Sequence, residues 1–251
     1  MESSALLRRL GDDVALWDLE VTESGRITAS MQRIRCTAPR LDHFSYLPGQ
    51  DLMLAVPGNG SETFRRRYTI RRVVPSEPSI DLDIVLHGDG PGARWASTVQ
   101  PGDHIEAIGP RGKITVEADA DWHLFIGDDS GIPASLAMSE SLGASQRGLV
   151  ILEVDGPEDR HESIGSAGDV SVEWLYRDGG DPASADHLLE HLRGLALPSG
   201  RGHAYLAGEL KVVAALRSLL LDRGLAAEQV SSKPYWRAGV ANAAHGEPER
   251  E

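Results

Sequence analysis

At 251 residues, 41% hydrophobic and 25% charged, the chain has the length of one large or two modest domains and the composition of a folded globular protein. It contains no apolar run of about eighteen residues, which excludes a membrane-spanning helix of ordinary length. A net charge of −13 argues against nucleic acid as a partner, because phosphates would be repelled.

The start of the chain, Met1-Glu2-Ser3-Ser4, has neither the basic nor the apolar region of a secretory signal, and one cysteine, Cys36, cannot form an internal disulfide. The expected compartment is the cytoplasm. Residues 1–118 then read as strands: Ile27–Cys36, Asp51–Val56, Arg67–Val73, Ile80–His87, His104–Ile108 and Lys113–Val116. Turn chemistry separates them, notably Pro57-Gly58-Asn59-Gly60, Pro101-Gly102 and Gly109-Pro110-Arg111-Gly112. Six short strands with one short helical stretch, Ala93–Val99, predict an antiparallel barrel or sandwich.

From Trp122 the period changes. Strands at Trp122–Gly127, Gly148–Val154, Val170–Tyr176, His203–Ala207 and Val230–Lys233 alternate with helices at Ile132–Leu142, Ala183–Leu195 and Glu209–Arg223. That alternation predicts a parallel sheet of βαβ type. The expected domains are 1–118 and 119–242, with 243–251 as a flexible tail. Charge divides the same way: 14 Lys/Arg against 16 Asp/Glu in residues 1–118, and 11 against 22 in residues 119–251.

Several stretches carry chemistry. In Arg66-Arg67-Tyr68-Thr69-Ile70-Arg71, strand alternation puts Arg66, Tyr68 and Ile70 on one face. An arginine fork beside a phenol ring suits a phosphate and a planar heterocycle, and it equally suits a solvated basic strand. The basic cluster Arg65–Arg72 calls for a partner. His87-Gly88-Asp89-Gly90-Pro91-Gly92-Ala93-Arg94-Trp95-Ala96 follows a strand and opens a helix too short for a dinucleotide fold. Its glycines would still let backbone N–H groups approach a pyrophosphate, or would simply make a tight turn. Gly127-Asp128-Asp129-Ser130 and Gly208-Glu209 end strands of the parallel sheet, where ligands bind in open α/β folds and where glycine would admit a flat ring. Beyond the second strand, Glu153, Asp155, Glu158 and Asp159 outnumber Arg160, which favours a 2′-hydroxyl over a 2′-phosphate on a bound dinucleotide. His187-Leu188-Leu189-Glu190-His191 matches an inverted zinc-protease pattern formally but reads as a solvated helical face, so no metal ligands are assigned. No hydrolase elbow or P-loop is present, and no catalytic side chain is assigned.

Taken in order, these stretches resemble the siderophore-interacting protein family, a branch of the ferredoxin-reductase-like flavoproteins. The resemblance spans about residues 25–242 and includes Trp174-Leu175-Tyr176-Arg177 and Tyr235-Trp236-Arg237-x-Gly239. It implies a six-stranded antiparallel FAD-binding barrel followed by an α/β parallel-sheet, nicotinamide-binding-like domain. It also implies an FAD-dependent ferric-siderophore reductase supplied by NADH or NADPH, with a ferredoxin-like protein as alternative donor. Under it Arg66 holds the flavin phosphate region, Tyr68 stacks on the isoalloxazine, Thr69 lies near its reactive edge, and Ile70 is counted with the cofactor-binding residues. His87, Gly88, Gly92, Ala93, Arg94, Trp95 and Ala96 cradle the pyrophosphate. Asp128, Ser130, Gly208 and Glu209 match the nicotinamide side, Trp236 belongs to a segment closing over the flavin, and Lys233 and Arg237 offer positive charge to the siderophore. Two positions depart from the family: Ala93 replaces a serine, and Met53 stands where a substrate-binding lysine is frequent. Two other readings remain: a flavin-dependent oxidoreductase acting on another metabolite or electron carrier, and a non-catalytic siderophore- or flavin-binding protein.

Overall fold

The structure, a computed structural model, describes residues 15–74, 76–86, 88 and 90–240. The expected tail 243–251 and the candidate His87 lie outside the described residues. Two units divide between Thr115 and Val116.

The first unit is a closed barrel of β1 (Ala15–Arg26), β2 (Met31–Thr37), β3 (Asp51–Pro57), β4 (Thr63–Val74), β5 (Ser79–Val85) and β6 (His104–Arg111). Its order is β1-β2-β5-β4-β3-β6, antiparallel throughout. Alternation builds the interior: Leu19 and Val21, Ile34 and Cys36, Leu52, Leu54 and Val56, and Ile80, Leu82 and Ile84 all point into one core. Burial pushes the Cys36 thiol up to about 12, so this side chain behaves as a small inert hydrophobe. Helix α1 (Pro91–Thr98) packs on β2, β3 and β5 and adds Trp95 and Ala96 to that core.

Two strand expectations need correction. Lys113–Val116 is not a strand, and the sixth barrel strand is β1, which pairs with both β2 and β6 and so closes the barrel. Its signal is present in Trp17-Asp18-Leu19-Glu20-Val21, an apolar-polar alternation. The basic cluster also reads differently. Arg65 meets Glu106 at 2.7 Å, Arg67 meets Asp51 at 2.7 Å, and Arg72 meets Asp81 at 2.6 Å. Arg71 lies 3.8 Å from Asp83. Most of the cluster is therefore answered by carboxylates of the barrel itself. Asp81 is fully buried, yet the guanidinium groups of Arg35 and Arg72 hold its carboxyl below the usual carboxylate range.

The second unit is a parallel sheet in the order β11-β10-β7-β8-β9. Its strands are β7 (Trp122–Gly127), β8 (Arg147–Val154), β9 (Asp169–Tyr176), β10 (Gly202–Glu209) and β11 (Val230–Trp236). The helices are α2 (Ile132–Glu140), α3 (Asp186–Gly194) and α4 (Leu210–Asp222). Central β7 is buried at all six positions, as a strand covered on both faces must be. After β9 the chain crosses back to place β10 on the other side of β7, which creates a switch point between those two strands. On α3, His187 is 53% and His191 30% exposed, as a solvated face requires, and they approach Glu153 of β8 and Glu173 of β9 at 3.7 and 2.7 Å.

Near the amino ends of β7 and β10, His123, Phe125, Tyr205 and His203 form a buried aromatic stack with centroid spacings from 4.7 to 6.2 Å. The Gln146 side-chain amide faces His123 Nε2 at 3.1 Å, while His123 Nδ1 faces the Tyr205 hydroxyl at 3.3 Å. The Glu117 N–H also donates to that hydroxyl, at 2.7 Å. Neutral His123 satisfies this arrangement by accepting at Nε2 and donating at Nδ1, whereas a protonated ring would set two donors against each other. Burial, aided by His203, pushes the His123 pKa from 6.5 down to about 4. Below pH 6.5 the unfolded chain then binds a proton that the folded one refuses. We expect stability to fall between about pH 6.5 and 4, by about 3 kcal/mol at most from this group. Urea unfolding across that range should show the slope, and His123→Gln should flatten it; an equal slope in both proteins would remove His123 as its source.

Candidate functional site

In β4, cross-strand register sorts the motif residues. Arg66 and Tyr68 lie opposite Leu54 and Leu52 of β3, on the side of the core, while Arg67 and Thr69 lie opposite Met53 and Asp51 on the outer face. Arg66 donates to the Arg65 carbonyl at 2.8 Å, and its guanidinium lies 5.3 Å from the Phe64 ring centre. Burial raises the Tyr68 phenol well above its usual range, against an opposing pull from Arg66, so the hydroxyl remains protonated at neutral pH.

The start of α1 meets these two side chains. Gly90 is its N-cap and Pro91 its first residue; the first intrahelical bond runs from the Arg94 N–H to the Gly90 carbonyl. The amides of Gly92 and Ala93 precede that bond and are the orphan donors of a helix start. A Cβ at Gly92 would lie 2.0 Å from the Tyr68 hydroxyl oxygen and 3.7 Å from Arg66 Cγ. Only glycine lets the helix approach so closely. Gly88 adopts φ +65° and, like Gly90, has open space where a side chain would stand. A helix N-terminus, a glycine ledge, an arginine and a phenol thus converge, and this donor set fits the pyrophosphate and ring of a dinucleotide cofactor.

The other candidates in this unit separate. Arg94 is exposed on α1, and Ala93 is half-buried beside Gly92. Thr69 is buried next to Asp51 in the register. Ile70 and Ala96 are fully buried and Trp95 is 8% exposed, all three in the barrel core. Their side chains pack the fold, which leaves their backbone as the part open to a cofactor.

In the second unit, the switch-point residues bind one another. Asp128 Oδ1 accepts from the Ser130 N–H and hydroxyl at 2.8 and 2.5 Å. Its Oδ2 accepts from the Glu209 N–H at 2.9 Å and the Trp236 indole at 2.8 Å. Glu209, fully buried, caps α4 through the Lys211 and Val212 amides and accepts from the Ala238 N–H at 3.2 Å. At Gly208, φ is +146° and a Cβ would lie 2.6 Å from Asp128 Oδ2. The room expected there for a flat ring is taken by a carboxylate. Asp128, Ser130, Gly208, Glu209 and Trp236 therefore knit together the carboxyl ends of β7, β10 and β11.

The acids beyond β8 also divide. Glu153 and Asp159 are 2% and 3% exposed, so they do not face a ligand as expected, whereas Asp155 and Glu158 are exposed. Arg177, at the end of β9, meets Asp129 at 2.5 Å, Asp155 at 3.1 Å and Glu153 at 3.7 Å. Burial raises the Glu153 and Asp129 carboxyls despite that arginine. On β11, the Lys233 ammonium lies 5.6 Å from the Tyr235 ring centre, and Arg237 is exposed just beyond the strand.

The Gly92–Tyr68 contact was hidden from sequence, although a glycine one residue inside a proline-started helix is its local mark. Gly92→Ala should lower flavin occupancy and thermal stability together, because the methyl group collides with the phenol oxygen. Adding Tyr68→Phe removes the colliding atom and should restore most of the stability. If the double variant is no more stable than Gly92→Ala, the collision is not the cause.

Comparison with known proteins agrees with the two-unit architecture. Residues 54–114 match the siderophore-interacting FAD-binding domain, and residues 120–239 match the siderophore-interacting protein model. The chain is 35% identical over 187 residues to the ferric vibriobactin reductase of Vibrio cholerae, covering 72% of this chain and 68% of that one. It is 24% identical over 256 residues to the NADPH-dependent ferric-chelate reductase of Escherichia coli, covering 92% and 96%. A siderophore utilization protein from T. fusca superposes with a TM-score of 0.83 at 28% identity, covering 93% of this chain and 97% of that one. The chain belongs to the siderophore-interacting protein family.

Proposed function

We propose that the protein reduces ferric siderophores, using FAD held on the barrel and a nicotinamide dinucleotide as electron source. The observation that carries this reading is the meeting of the α1 N-terminus with Arg66 and Tyr68, with Gly92 at the contact. Arg66 and the Gly92 and Ala93 amides would hold the pyrophosphate, Tyr68 would cover the isoalloxazine, and Thr69 would lie at its reactive edge. Bound FAD supplies the chemistry that side chains lack, accepting two electrons as hydride and delivering them singly to Fe(III). Hard oxygen ligands hold Fe(III) far more tightly than Fe(II), so reduction is enough to unload the chelate.

No side-chain nucleophile is needed. The chain's tasks are to bind, to orient and to supply local charge in an acidic protein, since local potential and not net charge steers a ligand. Lys233 and Arg237 are read as cations for an anionic chelate. Asp155 and Glu158, exposed beyond β8, support NADH over NADPH, because a carboxylate accepts from a ribose 2′-hydroxyl and repels a 2′-phosphate. The supporting relatives are named as reductases of ferric vibriobactin and of ferric chelates.

Anaerobic stopped-flow absorbance tests both half-reactions. The purified protein should be yellow, should be bleached faster by NADH than by NADPH, and should regain its colour on mixing with a ferric siderophore while Fe(II) accumulates with a trapping chelator. Bleached protein that ferric siderophores do not reoxidise would defeat the proposed acceptor.

A further inference from the structure

The turn containing Gly58-Asn59-Gly60, which joins β3 to β4, carries chemistry that the cofactor site does not use. It closes between the paired residues Pro57 and Thr63, and its base is tied by a hydrogen bond from the Gly58 N–H to the Glu62 carbonyl at 2.8 Å. Asn59 and Gly60 are exposed at the tip. Among the described residues, no hydrogen bond engages the Asn59 side chain or the Gly60 N–H. Gly60 adopts φ +72°, and a Cβ there would meet nothing within 4 Å. The amide carbon of an asparagine is open to attack by the backbone nitrogen that follows it. Glycine leaves that nitrogen unshielded and its backbone free to turn. The other asparagine of the chain, Asn242, is followed by alanine.

We propose that Asn59 is a site of spontaneous deamidation, and that its conversion loosens the hold of Arg66 on FAD. The Gly60 amide nitrogen gives its proton to base and attacks Asn59 Cγ. The N–Cγ bond forms, the Cγ–Nδ2 bond breaks, and Nδ2 takes up a proton and leaves as ammonia. Water then opens the cyclic imide at either carbonyl, giving aspartate or iso-aspartate, with no oxidant or reductant involved. In iso-aspartate the main chain runs through the former side chain, so the turn gains a backbone atom as well as a negative charge. The route from this turn to Arg66 is short. Gly58 faces the Phe64 ring so closely that a Cβ would lie 2.5 Å from Phe64 Cε2, and the same ring centre lies 5.3 Å from the Arg66 guanidinium carbon. Alternation puts Phe64 and Arg66 on one face of β4, and the ring quadrupole holds the cation over it. A turn that shifts the ring therefore shifts the guanidinium. This second part rests on the reading in which Arg66 holds the FAD phosphate region; the deamidation itself does not.

The test ages the FAD-loaded protein in mildly alkaline buffer and applies two readouts. Peptide mass mapping, with isoaspartyl methyltransferase labelling, follows Asn59. The rise of flavin fluorescence on dilution follows release of FAD. The peptide holding Asn59 should gain the mass difference between hydroxyl and amino, at a rate that rises with pH, and should become methylatable. Asn59→Ser, and Gly60→Ala as a second unreactive variant, should show no such change or a severalfold slower one. Aged wild-type protein should release FAD severalfold faster than fresh protein, in proportion to its iso-aspartate content, whereas Asn59→Ser aged in the same way should keep its fresh rate. Phe64→Leu, which removes the ring between the turn and Arg66, should release FAD faster when fresh and gain nothing further on ageing. An Asn59 peptide that stays unchanged would overturn the deamidation site. Conversion without faster FAD release, or equal acceleration in aged Asn59→Ser, would overturn the coupling to Arg66. A protein that holds no FAD would instead defeat the flavin reading, while the mass map would still judge Asn59.

Discussion

A carboxylate buried where strands meet must be answered by donors from its neighbours, because an unpaired charge in that setting costs several kcal/mol. Each unit is organised around such a group. In the barrel, Asp81 on β5 takes Arg35 from β2 and Arg72 from β4. In the parallel domain, Asp128 at the end of β7 takes the Glu209 amide of β10 and the Trp236 indole of β11. These groups set where positive charge and donor capacity are spent on the fold. The proposed cofactor site is narrower than the motif list suggests and centres on the α1 N-terminus with Arg66 and Tyr68.

How much of this was legible in the sequence depends on the range of the interaction. The change from period-2 patterns to strand-helix alternation near Trp122 is local, and the five parallel strands and three helices follow from it. The closing strand β1 has the same local signal in Trp17, Leu19 and Val21, but Lys113–Val116 competes for the sixth place with an equally apolar run. Only pairing of β1 with β6 decides between them. The candidate site shows the same limit. Arg66, Tyr68 and the glycine turn are marked by residue type. That Trp95 and Ile70 face the core, and that Asp128 fills the space at Gly208, depends on contacts between elements far apart in the chain. Strand alternation placed Arg66 and Tyr68 on one face correctly, whereas the carboxylates answering Arg65, Arg67 and Arg72 come from β6, β3 and β5.

On the proposed reading the cofactor carries the redox step, and the protein binds and orients it. A helix start offers two amides and a fixed dipole to a phosphate at no cost in reorganisation, and glycine at position 92 allows the phenol and the helix to share one surface. In the acidic second unit Asp128, Glu153, Asp159 and Glu209 are buried, while many other carboxylates, Asp155 and Glu158 among them, are exposed. On the proposed reading, local potential and not net charge steers an anionic acceptor.

The central claim is that the α1 N-terminus and Arg66 form the phosphate site, and comparative flavin binding to the apoprotein tests it most directly. Fluorescence titration should show FAD bound at least a hundredfold more tightly than riboflavin, which has the same ring without phosphate, and Arg66→Ala should remove most of that difference. Equal affinity for FAD and riboflavin, or an Arg66→Ala protein that retains the full preference, would contradict the account.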